Sequence, residues 1–213
     1  MSGTLLVTRP KYDDTTHYLF YWAQEIINLA KGKGIKVLDL DKERANKNEF
    51  ESMVAKMRPS FIFLNGHGGK DRITGADNKT LVRTGENEKI LKNKLVYALS
   101  CSSAKELGPA SIKAGANAYL GYSDVFIFSY ESNKLRDPLN DRTAELFLGP
   151  SNQLMISILK GHAAKESFER SQHCFLQNIQ KLVMSESSDL SLIPYILWDK
   201  MHQVCLGNGE IVL

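Results

Sequence analysis

The sequence predicts an α/β fold in which a mostly parallel sheet of about six strands is covered by helices on both faces. Three observations carry that reading. Strand signals and helix signals alternate through the first two thirds of the chain. Two of the strand candidates, Phe61-Ile62-Phe63-Leu64 and Leu95-Val96-Tyr97-Ala98-Leu99, are rich in aromatic and β-branched residues. At 213 residues, with 43% apolar and 24% charged side chains, the chain fits a single domain, residues 1–213, with a full core.

Thr4 to Thr8 is the first strand candidate. Asp13, Asp14, Thr15 or Thr16 would cap the helix that follows, where Tyr18, Trp22, Ile26 and Leu29 recur at helical spacing until Gly32 and Gly34 end it. Ile35 to Leu40 reads as the second strand. Phe50, Met53, Val54 and Met57 mark one face of a helix that Pro59 stops, and Ser60 to Leu64 is the next strand. Arg72-Ile73-Thr74 and Thr80-Leu81-Val82 flank a polar turn and read as a small hairpin.

After the Leu95 to Leu99 strand, a helix is expected over Ala104 to Ala114 and a strand over Ala116 to Tyr122. Ser123 to Thr143 is the longest irregular candidate, with Asp137-Pro138 and Asn140-Asp141 as turn signals; its Lys134, Arg136 and Arg142 suit a processing or gating loop. Two helical stretches divided at Gly149-Pro150 come next, and in the second Phe168, Phe175, Ile179 and Leu182 share a face. Met201 to Leu206 and Glu210 to Leu213, around Gly207-Asn208-Gly209, read as a terminal hairpin whose edge would pair with a second copy of the chain.

Composition excludes several classes of function. The 27 basic and 24 acidic residues give a net charge of +3, too slight and too scattered for nucleic acid or membrane binding. Three cysteines without a CxxC pair point away from a disulfide framework and from structural zinc, and fit a reducing, cytoplasmic setting. The first ten residues have too short an apolar run for a signal peptide, and Leu146 to Leu159 is too short to span a membrane. His17, His162, His173 and His202 lack metal-ligand spacing, so no metal is expected. No GxGxxG or GxxxxGK[ST] motif occurs, so no nucleotide cofactor is expected either.

The chemistry lies in two short segments. Asn65-Gly66-His67-Gly68-Gly69 and Ser100-Cys101-Ser102-Ser103 each follow a strand, and in an open α/β sheet the strand ends are where ligands bind. A thiol must ionise before it attacks a carbonyl, and an imidazole together with a helix N-terminus lowers its pKa. His67 would be the imidazole, and the helix expected from Ala104 would supply the dipole. Gly68 has no side chain, so its amide and that of Cys101 would form an oxyanion hole.

Phe63-Leu64-Asn65-Gly66-His67-Gly68-Gly69, then Tyr97-Ala98-Leu99-Ser100-Cys101-Ser102-Ser103-Ala104, then Ile112-Lys113-Ala114-Gly115-Ala116-Asn117-Ala118-Tyr119-Leu120-Gly121-Tyr122-Ser123, resembles the core of the caspase-like (clan CD) cysteine peptidases. The flavour is closest to the gingipain and CHAT-domain branch, over roughly Thr4 to Asp124. The resemblance implies a three-layer fold, peptide bond hydrolysis through a thioester, and no cofactor. It makes His67 the general base and acid and Cys101 the nucleophile, acting on a protein or peptide substrate, with no obligatory third catalytic residue.

Many relatives that cleave after Arg or Lys carry an acidic residue two positions before the cysteine, where this chain has Leu99. Asp13, Asp14 or Asp124 would be the alternative carboxylates for a basic side chain, each with helix capping or a turn as its plainer role. Without one, Leu99, Tyr122 and Phe126 suit an apolar side chain. Two other functions fit parts of the pattern. One is a catalytically silent caspase-like regulatory domain; the other is a flavodoxin-like domain that binds an anion at Gly66 to Gly69 and leaves Cys101 without a role.

Overall fold

In a computed structural model, which describes residues 3–184 and 188–213, the chain forms β1 (Thr4–Arg9), α1 (Asp14–Gly32), β2 (Lys36–Asp41), α2 (Lys47–Met57) and β3 (Phe61–Asn65). A small meander of β4 (Gly68–Gly69), β5 (Arg72–Thr74) and β6 (Thr80–Arg83) precedes β7 (Leu95–Leu99). Then come α3 (Leu107–Lys113), β8 (Ala118–Tyr122), α4 (Arg142–Leu159), α5 (Ala164–Met184), α6 (Ile193–His202) and β9 (Gln203–Gly207). Met1 and Ser2, where the reading of a missing signal peptide starts, lie outside the described residues.

The main sheet has six strands in the order β2-β1-β3-β7-β8-β9. All neighbours run parallel except β9, which pairs antiparallel with β8. Because side chains alternate across a strand, each central strand feeds two cores. Leu5, Val7, Phe61, Phe63, Leu95, Tyr97, Leu99, Leu120 and Tyr122 face the layer of α1, α4, α5 and α6. Leu6, Ile62, Leu64, Val96, Ala98 and Tyr119 face α2, α3 and the small sheet. Burial on both faces is why these strands read as unbroken apolar runs.

The first helix starts where its sequence signal lies. Asp13 accepts from the Thr16 amide at 2.8 Å, and the Thr16 hydroxyl receives the Asp13 amide, a reciprocal capping box. Tyr18, Trp22 and Ile26 are buried on its inner face. Asn46 caps α2, which stops at Arg58 in the left-handed region just before Pro59.

Three expectations need correction. The break at Gly149-Pro150 is absent, and α4 runs through it. Proline removes the hydrogen bond to the carbonyl four residues back, and here the Leu146 carbonyl instead accepts from Asn178 Nδ2 at 2.9 Å. The helices divide instead at Lys160 to Ala163, where Gly161 has φ 91°. The terminal hairpin has only one arm. Residues after Gly207 form no strand; the carbonyls of Gly209 and Ile211 accept from the amides of Lys165 and Ala164, satisfying the first turn of α5.

The third correction touches the site. No helix starts at Ala104; residues 101–106 are turns, and α3 begins at Leu107 without a side-chain cap. Ser102 sits at φ 55°, and the amides that would open a helix are taken elsewhere. Ser102 donates to Asp124 O at 2.8 Å, Ala104 to Tyr122 O at 3.0 Å, and Glu106 and Leu107 both to Lys70 O.

Candidate functional site

The pairing of β3 with β7 sets Asn65 beside Leu99, so the two chains leave the sheet side by side. Asn65, buried, ties this end to β1 through its Nδ2, which donates to Thr8 O at 3.0 Å. Gly66, at φ 148°, then turns the chain under Thr74, whose carbonyl would lie 2.5 Å from any Cβ at position 66. The amide and hydroxyl of Thr74 donate back to the His67 carbonyl at 2.9 and 3.1 Å, so the small sheet fixes the backbone that carries the imidazole.

Gly68 lies against the nucleophile turn. A Cβ there would be 2.7 Å from Cys101 O and 3.0 Å from Ser100 Cβ, and only glycine permits that approach. The turn itself is held from below: Ser100 Oγ donates to Ser103 Oγ at 2.9 Å, and Tyr119 Oη donates to the same atom at 3.0 Å. Among the described residues no backbone carbonyl accepts from the Cys101 amide, whose neighbour is its own sulfur, so a developing oxyanion there could take its hydrogen.

His67 Nε2 lies 2.6 Å from Asp13 Oδ2, with the two side chains 34% and 40% exposed. A carboxylate only accepts, so Nε2 carries the proton and Nδ1 is left as the basic nitrogen. Burial alone would raise the Asp13 carboxyl, but the Thr16 amide and hydroxyl and then His67 outweigh it and hold it below its ordinary value. Beside this pair a cavity of about 360 Å³ is lined by Lys11, Tyr12, Asp13, Asp14, His17 and Leu135.

Cys101 is half-buried, and its Sγ is directed at Phe126 O, 3.7 Å away. Among the described residues no hydrogen bond joins it to His67. Burial pushes the thiol above its ordinary value; the backbone at Phe126 and at Cys101 itself acts the other way, and the carboxyls of Asp199 and Asp124 add to the rise. The lowering expected from a helix N-terminus is therefore missing, because the helix begins at Leu107, three residues later than expected and six beyond Cys101.

The predicted substrate carboxylates are all engaged. Asp13 holds His67 and caps α1; Asp14 accepts from Tyr130 Oη at 3.0 Å; Asp124 Oδ1 accepts from the Val125 amide at 2.8 Å. Leu99 is buried in β7, beside the aromatic core that holds Tyr122 and Phe126. Two features were not anticipated. The link from Asp13 to His67 joins residues far apart in sequence, and no spacing signals it. Asp199 is buried on α6, and its signal was faint: it lies one turn from Ile196, on the apolar face.

Among the described residues no group of three or more His, Cys, Asp or Glu side chains gathers as metal ligands would. None of their helices is long and apolar enough to cross a membrane.

No family model matches the chain, and no curated protein matches it in sequence. Solved structures do. The complex of the pro- and mature domains of Porphyromonas gingivalis RgpB superposes with a TM-score of 0.64 at 11% identity, over 100% of this chain and 48% of that one. The Arg-specific cysteine proteinase gingipain R (RgpB) gives 0.63 at 11% identity, over 99% and 47%. The chain thus spans about half the length of these gingipain chains, and the likeness is one of fold. That fold is caspase-like: helices on both faces of a six-stranded, mostly parallel sheet.

Proposed function

We propose that the chain is a cysteine endopeptidase, with Cys101 as nucleophile and His67 as general base and acid. One observation carries the reading: neighbouring parallel strands deliver His67 and Cys101 side by side, with Gly68 pressed on the Cys101 backbone and a carboxylate fixing the imidazole tautomer. Nδ1 of His67 takes the thiol proton, and the thiolate adds to the scissile carbonyl carbon. The amides of Cys101 and Gly68 donate to the oxyanion. The C–N bond then breaks as His67 returns the proton to the leaving amine, and a water deprotonated by His67 hydrolyses the thioester. Apart from that water, every group in these steps belongs to the chain or the peptide substrate, and the reaction takes no cofactor.

The cavity next to Asp13 is the place for a substrate residue flanking the scissile bond. The outer edge of β9, the last strand of the sheet, is the place for a second copy to pair, which light scattering at micromolar concentration tests.

The test compares the unaltered chain with Cys101→Ala and His67→Ala on a positional peptide library. Cleavage falls by about 100-fold or more in both variants. Equal residual cleavage in all three chains overturns the assignment. A second reading, a catalytically silent caspase-like domain, draws support from the sulfur facing Phe126 O instead of His67. Under it, the unaltered chain cleaves no member of the library.

A further inference from the structure

From Tyr122, the last residue of β8, a strap that bends at residues 123–124 runs to residue 127 between the Cys101 turn and α6, and alternate positions serve opposite sides. On one side the carbonyls of Tyr122 and Asp124 accept from Ala104 and Ser102, and Phe126 O faces Cys101 Sγ. On the other, Ser123 donates to His202 O through its amide at 2.8 Å and its hydroxyl at 3.1 Å. Val125 O accepts from Trp198 Nε1 at 2.9 Å, and the Ile127 amide donates to Asp199 Oδ1 at 2.9 Å. The C-terminal helix thus grips the strap at three points.

Phe126 C=O and Ile127 N–H belong to one peptide unit, and in a trans peptide they point in opposite directions. A single peptide plane is therefore wedged between the sulfur and the Asp199 carboxyl. The contacts of 3.7 and 2.9 Å, with about 2.3 Å across the unit, put the two groups within about 9 Å. Asp199 is fully buried, and its Oδ2 has no partner among the described residues. Tyr97, Tyr122 and Cys101 face it from the sheet side, and none of them is a cation.

We infer that Asp199 is a positioning residue for Cys101: by holding the Ile127 amide it aims the Phe126 carbonyl at the sulfur, where it accepts the thiol hydrogen. A carbonyl accepts from a thiol and offers nothing to a thiolate. The strap and α6 form a latch, and a peptide that lifts the strap frees the proton for His67. The catalytic meaning of the latch rests on the peptidase reading; the latch itself is read from the thiol alone.

The experiment measures iodoacetamide labelling of Cys101 by mass spectrometry across a pH series, with Cys174 and Cys205 as internal references. Asp199→Leu fills the site without an acceptor, and Asp199→Asn keeps one. At neutral pH the Leu variant labels at Cys101 about fivefold faster than the unaltered chain, the worth of one hydrogen bond. The Asn variant stays close to the unaltered rate, and the reference cysteines do not change. Unchanged labelling in the folded Leu variant overturns the latch, as does an Asn variant that labels as fast as Leu. Should the Leu variant unfold, seen as equal labelling of all three cysteines, hydrogen exchange of the Ile127 amide in the unaltered chain decides. Protection supports the latch, and exchange at the unfolded rate overturns it. Faster labelling with no peptide cleavage in any chain keeps the latch and removes the peptidase reading; Cys101-dependent cleavage with unchanged labelling does the reverse.

Discussion

Asp13 holds His67 Nε2 at 2.6 Å through one carboxylate oxygen while its other oxygen accepts from the Thr16 amide at 2.8 Å. One side chain thus starts α1 and selects the imidazole tautomer. The geometry is rigid on both sides: β1 delivers Asp13 after Arg9, which is anchored to Asp39 at 2.7 Å, and β5 fixes the His67 carbonyl through Thr74.

Those two duties separate by mutation. Asn replaces Asp well as a helix cap, so Asp13→Asn keeps its stability, whereas Asp13→Ala loses about 1 kcal/mol. Both lose the acceptor that fixes Nε2–H, and kcat/KM falls on the order of 100-fold in each. Urea midpoints and cleavage rates of the three chains check this; an Asn variant with full activity shows that the carboxylate only caps. Because the Asp13 carboxyl lies below its ordinary value in the fold, its contribution to stability is present above the ordinary carboxylate range and fades as pH falls through the lowered value. The stability gap between the unaltered chain and Asp13→Ala therefore closes in strong acid.

Gly68→Ala places a methyl group 2.7 Å from Cys101 O, against backbone that cannot swing away. The cost is about 1–3 kcal/mol of stability, together with loss of Cys101-dependent cleavage as the turn is pushed off its place. Gly69→Ala is the control, since its nearest neighbour, Asp71 Oδ1, is 4.0 Å off. Thermal midpoints and cleavage rates that fall alike in the two variants would mean that the close approach at Gly68 has no special role.

The sheet was legible because its central strands are buried on both faces and are punctuated by Pro59, Gly66 and Gly115; the start of α1 was legible because capping is local. The errors all come from long-range partners. Ala104 to Ala114 has helical character, but Tyr122, Asp124 and Lys70 capture its first amides. Pro150 should break a helix, but Asn178, on another helix, satisfies the carbonyl it strands. That His67 and Cys101 follow neighbouring strands was legible because each sits beside its own glycine or hydroxyl neighbours at a strand end. The contacts of Asp13 with His67 and of Asp199 with the Ile127 amide were not, since each meets its partner only through the tertiary fold.

Asp199 gives a pH test that needs no substrate. Burial raises its carboxyl from an ordinary 3.8 to about 9, despite the hydrogen bond from Ile127. Between those values the folded chain holds a proton that the unfolded chain has released, so this group makes stability fall as pH rises. Asp199→Asn has no such proton. The thermal midpoint of the Asn variant, close to that of the unaltered chain in acid, should pull ahead of it steadily from about pH 4 to pH 9. Tyr97, Tyr122 and Cys101 face the same site, but their values are raised from ordinary ones of 9.0 or 10.0, so in the folded chain they ionise above this window. Parallel pH curves would show that Asp199 ionises as an ordinary carboxylate, and that water reaches behind the strap even before a peptide lifts it.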